Sequence, residues 1–376
     1  MRLQTIFLKN FRNYSFVDFS PSLGLNFLLG NNAQGKTSFI EACAYLCLGR
    51  SIRGISDQHI LKFDQDYFTL EGIFIGNSLQ QKTTIKYLYM NSSKEKKILI
   101  NDLPVNRLIE ALGLQKAVFF LAEHLNLVKG PPNLRRNYLD VLIMQINPKY
   151  YQDTLEYKKI IQHRNHTLRY GRNSKSLNLQ LQIWDEQLIE LAGKIIFKRI
   201  EVIKFLRENL PKIHGNLTHC EETLSIRYQS PMVFDFTKDF SLQEIIQALQ
   251  VSFDKNRNKD IQYGITTIGP HRDDIFFELN GKDAKIFASQ GQQRTIALSL
   301  KIAEVDLFFN KLGEEPLVLL DDVFSELDQF RQKQLLQFVK HGQFQCFITA
   351  TSLGMIDKDW IEEATVISVE KGTLIK

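Results

Sequence analysis

Apolar and polar positions fall into three regimes along this chain. Over the first 116 residues short apolar runs separated by turn residues predict strands. Thr83–Tyr89 and Lys97–Ile100, on either side of Asn91-Ser92-Ser93, read as an antiparallel hairpin. Leu23–Leu29 reads as a buried strand, and Ser38–Leu48 as a helix closed by Gly49. From about Asn133 the period turns helical. Residues 149–170 and 177–209 form two long polar-rich segments separated by Gly171–Ser176. In the second, Leu181, Trp184, Leu188, Leu191, Ile195, Val202 and Leu206 keep helical spacing, and Pro211 is expected to end the helix. The pair predicts a short helical hairpin.

The final third returns to alternating strand and helix. Ile296, Leu300, Ala303 and Leu307 line one face of a helix opened by Ser289. Glu315–Asp322 is an apolar strand ending in two carboxylates, and Phe344–Thr351 is a second buried strand. The expected organisation is a nucleotide-binding core from residues 1–116 and 311–376, with a mainly helical lobe inserted over 117–310.

Composition narrows the class. A chain of 376 residues with 44% hydrophobic and 24% charged residues can bury a full core, more readily in two lobes than one. No apolar run is long enough to cross a membrane, and the N-terminal Met1-Arg2-Leu3-Gln4-Thr5 lacks a secretory pattern, so a cytoplasmic location is expected. The four cysteines read as free thiols. Net charge is +5, but residues 146–212 alone carry 13 Lys/Arg against 7 Asp/Glu. The rest is close to neutral, so a polyanion should dock on the middle region.

Candidate chemistry begins at Gly30-Asn31-Asn32-Ala33-Gln34-Gly35-Lys36-Thr37, the pattern G-x-x-x-x-G-K-[ST] between a predicted strand and a predicted helix that starts at Ser38. The glycines let backbone N–H groups converge on phosphate oxygens, Lys36 can reach the outer phosphates, and Thr37 offers a hydroxyl to Mg²⁺. The rival reading is a glycine turn before an ordinary core helix. Asp321 and Asp322, at the end of a strand expected to lie parallel to the first, would reach the same sheet edge. There Asp321 can hold Mg²⁺ and Asp322 can polarise water. Ser325-Glu326-Leu327-Asp328 has the spacing of a helix capping box. Ala288-Ser289-Gln290-Gly291-Gln292-Gln293-Arg294 opens a helix with Ser289 as a cap and clusters donors suited to a second anion contact.

In this order the phosphate loop, the Ser289 string, Leu319-Leu320-Asp321-Asp322 and Ser325–Asp328 resemble the ABC-type ATPases. Leu8-Lys9-Asn10-Phe11-Arg12-Asn13-Tyr14, Leu127–Pro131 with Arg135-Arg136, Ile268-Gly269-Pro270-His271-Arg272-Asp273-Asp274 and Ser289–Thr295 are similar to the RecF-like branch. The resemblance implies an α/β ABC-type P-loop ATPase head with a mixed-sheet core. It also implies ATP and Mg²⁺ as cofactors and an ATP-dependent homodimer in which Ser289, Gly291 and Gln292 contact the γ-phosphate bound by the other copy. Asp328 would lie near the dimer seam, and Arg12 and Asn13 would approach the nucleotide. Partners implied are DNA, single-stranded or as gapped duplex, and recombination mediator proteins. Asp322 is one methylene shorter than the glutamate of transporter-type ATPases, and Thr349 or Thr351 stands where those carry a switch histidine. Slow, DNA-dependent hydrolysis is therefore expected.

Two other functions fit the phosphate loop alone: an ATP-hydrolysing transporter subunit and a P-loop kinase of small molecules. The first would normally show the switch histidine, and the second leaves the Ser289 string unexplained. For a DNA face the residues point to Lys158, Lys159, Arg164, Arg169, Arg172 and Lys175, with Lys129, Arg135 and Arg136 as a second cluster. An ordinary solvated helix face is the alternative.

Overall fold

The computed structural model describes residues 1–76, 80–90, 93–105, 107–171, 174–351 and 364–375. Their contacts divide the chain into two compact units, Met1–Asn126 with Asn216–His219 and Ser289–Lys376, and Leu127–Gly215 with Cys220–Ala288.

The first unit contains two sheets. One is antiparallel, in the order β2 (Tyr14–Phe19), β1 (Arg2–Phe11), β4 (Tyr67–Ile75), β5 (Gln80–Met90), β6 (Ser93–Ile100), β7 (Leu103–Val105). The expected hairpin is β5–β6, with Met90 opposite Ser93, while its turn residues Asn91 and Ser92 lie outside the described residues. The other sheet is mixed, in the order β15 (Thr373–Ile375), β14 (Thr365–Glu370), β3 (Leu25–Leu29), β13 (Cys346–Ala350), β12 (Leu317–Asp321), β8 (Ala117–Leu121). From β14 to β8 its strands run parallel, and β13, β12 and β8 are buried along their whole length, as strands covered on both faces must be. Helix α1 (Lys36–Leu48) packs against strands of both sheets. That placement explains why it is buried nearly all round rather than along one stripe. Gly49, in the left-handed conformation, ends it. A one-turn α2 (Leu108–Ala111) precedes β8.

The second unit is built from α3 (Pro132–Ile146), α4 (Pro148–Tyr170), most of α5 (Leu177–Leu217) and α6 (Leu242–Tyr263). Beside them lies a small antiparallel sheet of β9 (Leu224–Gln229), β10 (Asp274–Leu279) and β11 (Lys282–Asp283), followed by α7 (Ala284–Phe287). The hairpin of α4 and α5 is present: His163 stacks on Trp184, and Leu168, Leu177 and Leu181 form a small core. Pro211 does not end α5, which runs through it to Leu217. Leu210, His214 and Leu217 are buried around it, and that packing offsets the roughly 3 kcal/mol cost of an interior proline.

Two units do not follow the sequence boundaries at 116 and 310. β8 pairs with β12, and α8 (Gln290–Leu312) packs on β8, so both belong with the first unit. The Ser325 capping box is also displaced. Ser325 donates to the carbonyl and carboxylate of Asp322, and Asp328 instead caps α9 (Gln329–His341), accepting from Arg331 N–H at 2.9 Å. Among the described residues, no helix is long and apolar enough to cross a membrane.

Candidate nucleotide site

Parallel register decides where the site lies. β3, β13 and β12 run the same way, so the loop after Leu29, the end of β13 and the end of β12 share one sheet edge. Across it Thr37 Oγ1 donates to Asp321 Oδ1 at 2.9 Å. Thr349 Oγ1 donates to the same oxygen at 3.1 Å and accepts from Asp322 N–H at 2.8 Å. Arg53 approaches the other oxygen of Asp321, at 3.6 Å. Asp321 is 5% exposed, and burial pushes its carboxyl above the ordinary range although Thr37, Thr349 and Arg53 favour the charged form. A hard cation would reverse that balance.

The loop itself is a backbone cradle. Gly35 has φ 123°, and a Cβ there would lie 2.6 Å from Asn13 Nδ2. Asn13 Nδ2 donates to Gln34 O at 3.0 Å, and Tyr14 Oη to Gly35 O at 3.0 Å. Gln34 is pinned from outside: its Oε1 accepts from Lys371 N–H at 2.7 Å and its carbonyl from Gly372 N–H at 2.9 Å. Ala33 adopts φ 64°, a left-handed position that costs a Cβ-bearing residue about 1 kcal/mol.

Lys36 Nζ donates to Gly30 O at 2.6 Å and Asn31 O at 2.8 Å, holding the loop closed over its own ammonium. Burial lowers its pKa, against the pull of Asp322 and Asp321. Asp322 sits at φ 53°, which an aspartate tolerates, and lines the mouth. The resulting cavity, about 240 Å³, is lined by Asn13, Asn32, Ala33, Gly35, Lys36, Thr37, Ser38, Asp322 and Thr349. The buried Oδ1 of Asn13, at this lining, has no hydrogen-bond partner. A glycine cradle, an ammonium and an orphaned side-chain oxygen fit a polyphosphate with its sugar or base. The paired oxygens of Thr37 and Asp321 fit Mg²⁺.

Other expected residues are placed differently. Arg12 is bound by Glu41 of α1 through two bonds of 2.8 and 3.0 Å and donates to His59 O at 2.8 Å, so it braces the loop helix and does not line the cavity. Ser289, Gly291 and Gln292 also do not line it. They form the exposed N-terminus of α8, where Ser289 Oγ accepts from Gln292 N–H at 3.2 Å and Gln292 Oε1 accepts from Ser289 N–H at 2.8 Å. An open helix N-terminus at a glycine is competent to take an anion from outside the chain. Arg331 Nε donates to Thr295 Oγ1 at 2.6 Å and its guanidinium pairs with Asp328, tying the α9 cap to α8.

Sequence reasoning missed Arg53, Glu41 and the role of the Lys371–Gly372 turn. Glu41 carried a signal, being the one acid in an otherwise apolar helix; the other two are set by distant chain. Two of the expected DNA-face residues are internal. Arg164 is fully buried between Asp185 and Asp260, at 2.6 and 2.7 Å, and Arg135, 2% exposed, pairs with Asp274 at 2.6 Å. Lys158, Lys159, Arg169 and Lys175 are exposed, and Arg172 lies outside the described residues. Arg272 does not pair with its neighbours; it is exposed and donates to Thr266 O at 3.2 Å.

Comparison with known proteins agrees along the whole chain. Residues 2–374 match the family described as RecF/RecN/SMC N terminal domain. The chain is 40% identical to the DNA replication and repair protein RecF of Geobacillus sp. (strain WCH70), over 99% of this chain and 98% of that one. It is 37% identical to the protein of that name from Bacillus subtilis (strain 168), over the full length of both. Among solved structures, that of the recombination mediator protein RecF-ATP in the RecFOR pathway superposes with a TM-score of 0.90 at 32% identity, covering 100% of this chain and 97% of that one. An Smc head bound to the C-winged helix domain of ScpA, at TM-score 0.56 and 14% identity, shares the fold. The chain has the ABC ATPase head fold and belongs to the RecF/RecN/SMC family, within its RecF branch of DNA replication and repair proteins.

Proposed function

We propose that this chain is an ATP-switched DNA-binding protein of recombinational repair. ATP joins two copies, the joined form holds gapped or single-stranded DNA, and slow hydrolysis releases it. With recombination mediator proteins it assists recombinase loading at gaps. The observation that carries this reading is the Thr37–Asp321 bond, which ties the phosphate loop to the acidic strand end at one lined cavity.

In this reading Lys36 leaves the carbonyls of Gly30 and Asn31 and binds the outer phosphates, while the backbone N–H groups of 33–37 hold the inner ones. Thr37 and Asp321 would hold Mg²⁺, which neutralises phosphate charge. Asp322 orients the attacking water, and its short side chain suits slow turnover. Ser289, Gly291 and Gln292 present the α8 N-terminus to the nucleotide bound by the second copy. Exposed Lys158, Lys159, Arg169 and Lys175 supply phosphate contacts that do not read sequence.

Titrating gapped duplex with and without Mg-ATP over a range of salt tests this. The expected result is tighter binding with ATP, weakened steeply by salt and lost in Lys36→Met. Equal affinity with and without ATP contradicts it.

A further inference from the structure

The motif Ile268–Asp274 and the pair Arg135-Arg136 have no part in the phosphate loop, yet they meet in the second unit. There α3, α4, α5 and the 268–274 turn line a half-open cavity of about 270 Å³. Ile161, Ile195, Pro270 and the ring of Tyr157 give it one apolar face, and Asn133, Asn137, Thr154 and Asp140 line the polar remainder. Gly269 makes the turn possible: its φ is 125°, and a Cβ there would lie 2.5 Å from Tyr157 Oη. His271 Nε2 donates to Thr266 O at 3.1 Å, so its Nδ1 accepts from Tyr157 Oη at 2.7 Å. Burial lowers the pKa of that imidazole to about 4, and it stays neutral at physiological pH.

Charge in this cavity is unbalanced. Arg199 forms the floor and is fully used, donating to Asp140, Tyr150 and Pro270 O. Nearby, Asp274 is held by Arg135, and Asp273 accepts from Tyr228 through one oxygen while the other has no hydrogen-bond partner. Arg136 is half-buried and donates to a single backbone carbonyl, Asp273 O, at 2.8 Å. Asp274, Asp140 and Asp273 act on it only at longer range, and among the described residues neither it nor Lys158 at the rim has a carboxylate within ion-pairing distance. A partly desolvated guanidinium and an ammonium beside an apolar face call for an anion with a hydrophobic or ring body. A cavity of about 270 Å³ that opens to solvent has room for one small ring-bearing anion.

We propose that this cavity is a second anion site that takes one phosphate-bearing ring: a single nucleotide unit, free or unpaired within a strand. Arg136 and Lys158 bind the phosphate, and Tyr157, Ile161, Ile195 and Pro270 pack the ring. The site shares no residue with the phosphate loop and stands whether or not that loop binds ATP.

Methyl NMR of the isoleucine-labelled full chain reads this site directly through Ile161 and Ile195. Titration with thymidine 5′-monophosphate should move both methyls, and neutral thymidine at equal concentration should not. Arg136→Gln should weaken binding about tenfold and Lys158→Gln, at an exposed position, a few-fold. Asn137→Trp, on the exposed rim, should abolish it. If a short oligothymidylate acts at lower concentration than the monophosphate, the source is a DNA strand; if the monophosphate alone acts, it is a free nucleotide. Either supports the site. No methyl movement with either ligand up to about 10 mM, an equal response to thymidine, or unchanged binding in folded Arg136→Gln and Lys158→Gln would overturn it.

Discussion

Thr37 Oγ1 and Asp321 Oδ1, 284 residues apart in sequence, lie 2.9 Å from each other. The carboxylate is buried, and its pKa is raised by that burial. A folded-state pKa raised for an acid means that the folded chain binds more protons than the unfolded one between the two values. Stability therefore falls as pH rises through that window. Asp321→Asn should stabilise the ligand-free protein at neutral pH by about 1 kcal/mol while removing Mg²⁺-dependent ATP hydrolysis. Urea unfolding checks the first half, and phosphate release from Mg-ATP checks the second.

Ala33 holds a left-handed backbone position at a cost of about 1 kcal/mol. Ala33→Gly removes the strain but frees the unfolded chain, so the net gain should be about 0.5 kcal/mol. Nucleotide affinity should not fall. A destabilised Ala33→Gly would show that the strain is absent.

Arg164 separates the internal cations from the surface ones. It is enclosed by Asp185, Asp260 and Thr266, so Arg164→Ala should cost about 3 kcal/mol by leaving the buried Asp260 without a cation and Asp185 with Arg257 alone. Lys159→Gln should leave stability unchanged, weaken DNA binding and reduce the salt slope by about 1. Thermal unfolding beside salt-dependent DNA titration distinguishes the two classes.

Asp273 and His271 give opposite pH slopes over nearly the same window. Burial, with one oxygen unpartnered, raises Asp273 to about 6, so stability contributed by its protonated form is lost as pH rises from about 4 to 6. His271, lowered to about 4, destabilises the fold as pH drops below about 6.5. Asp273→Asn should steepen the rise in stability between pH 4 and 6, by roughly 2 kcal/mol, and His271→Gln should flatten it. Chemical denaturation at several pH values measures both slopes.

Local signals made the core of the site legible. The glycine spacing, the apolar strand before it, Gly49 after α1 and the Asp321-Asp322 strand end all lie within short windows, and parallel pairing brings them to one edge. The Ser289–Gln292 cap was legible for the same reason. Hidden features depend on distant chain. Arg164 has the look of a solvated helix residue until α5 and α6 supply Asp185 and Asp260. Arg12 is taken by Glu41, and Pro211 is carried inside α5 by buried neighbours that no local rule weighs.

The most direct test of the account is the mass of the full chain by light scattering, without nucleotide and under saturating Mg-ATP, for the wild type and Ser289→Arg. The account predicts a shift from monomer to dimer with ATP in the wild type and none in Ser289→Arg, because the arginine blocks the α8 N-terminus that takes the second copy's phosphate. A wild type that stays monomeric under saturating Mg-ATP, or a Ser289→Arg variant that dimerises equally well, would contradict it.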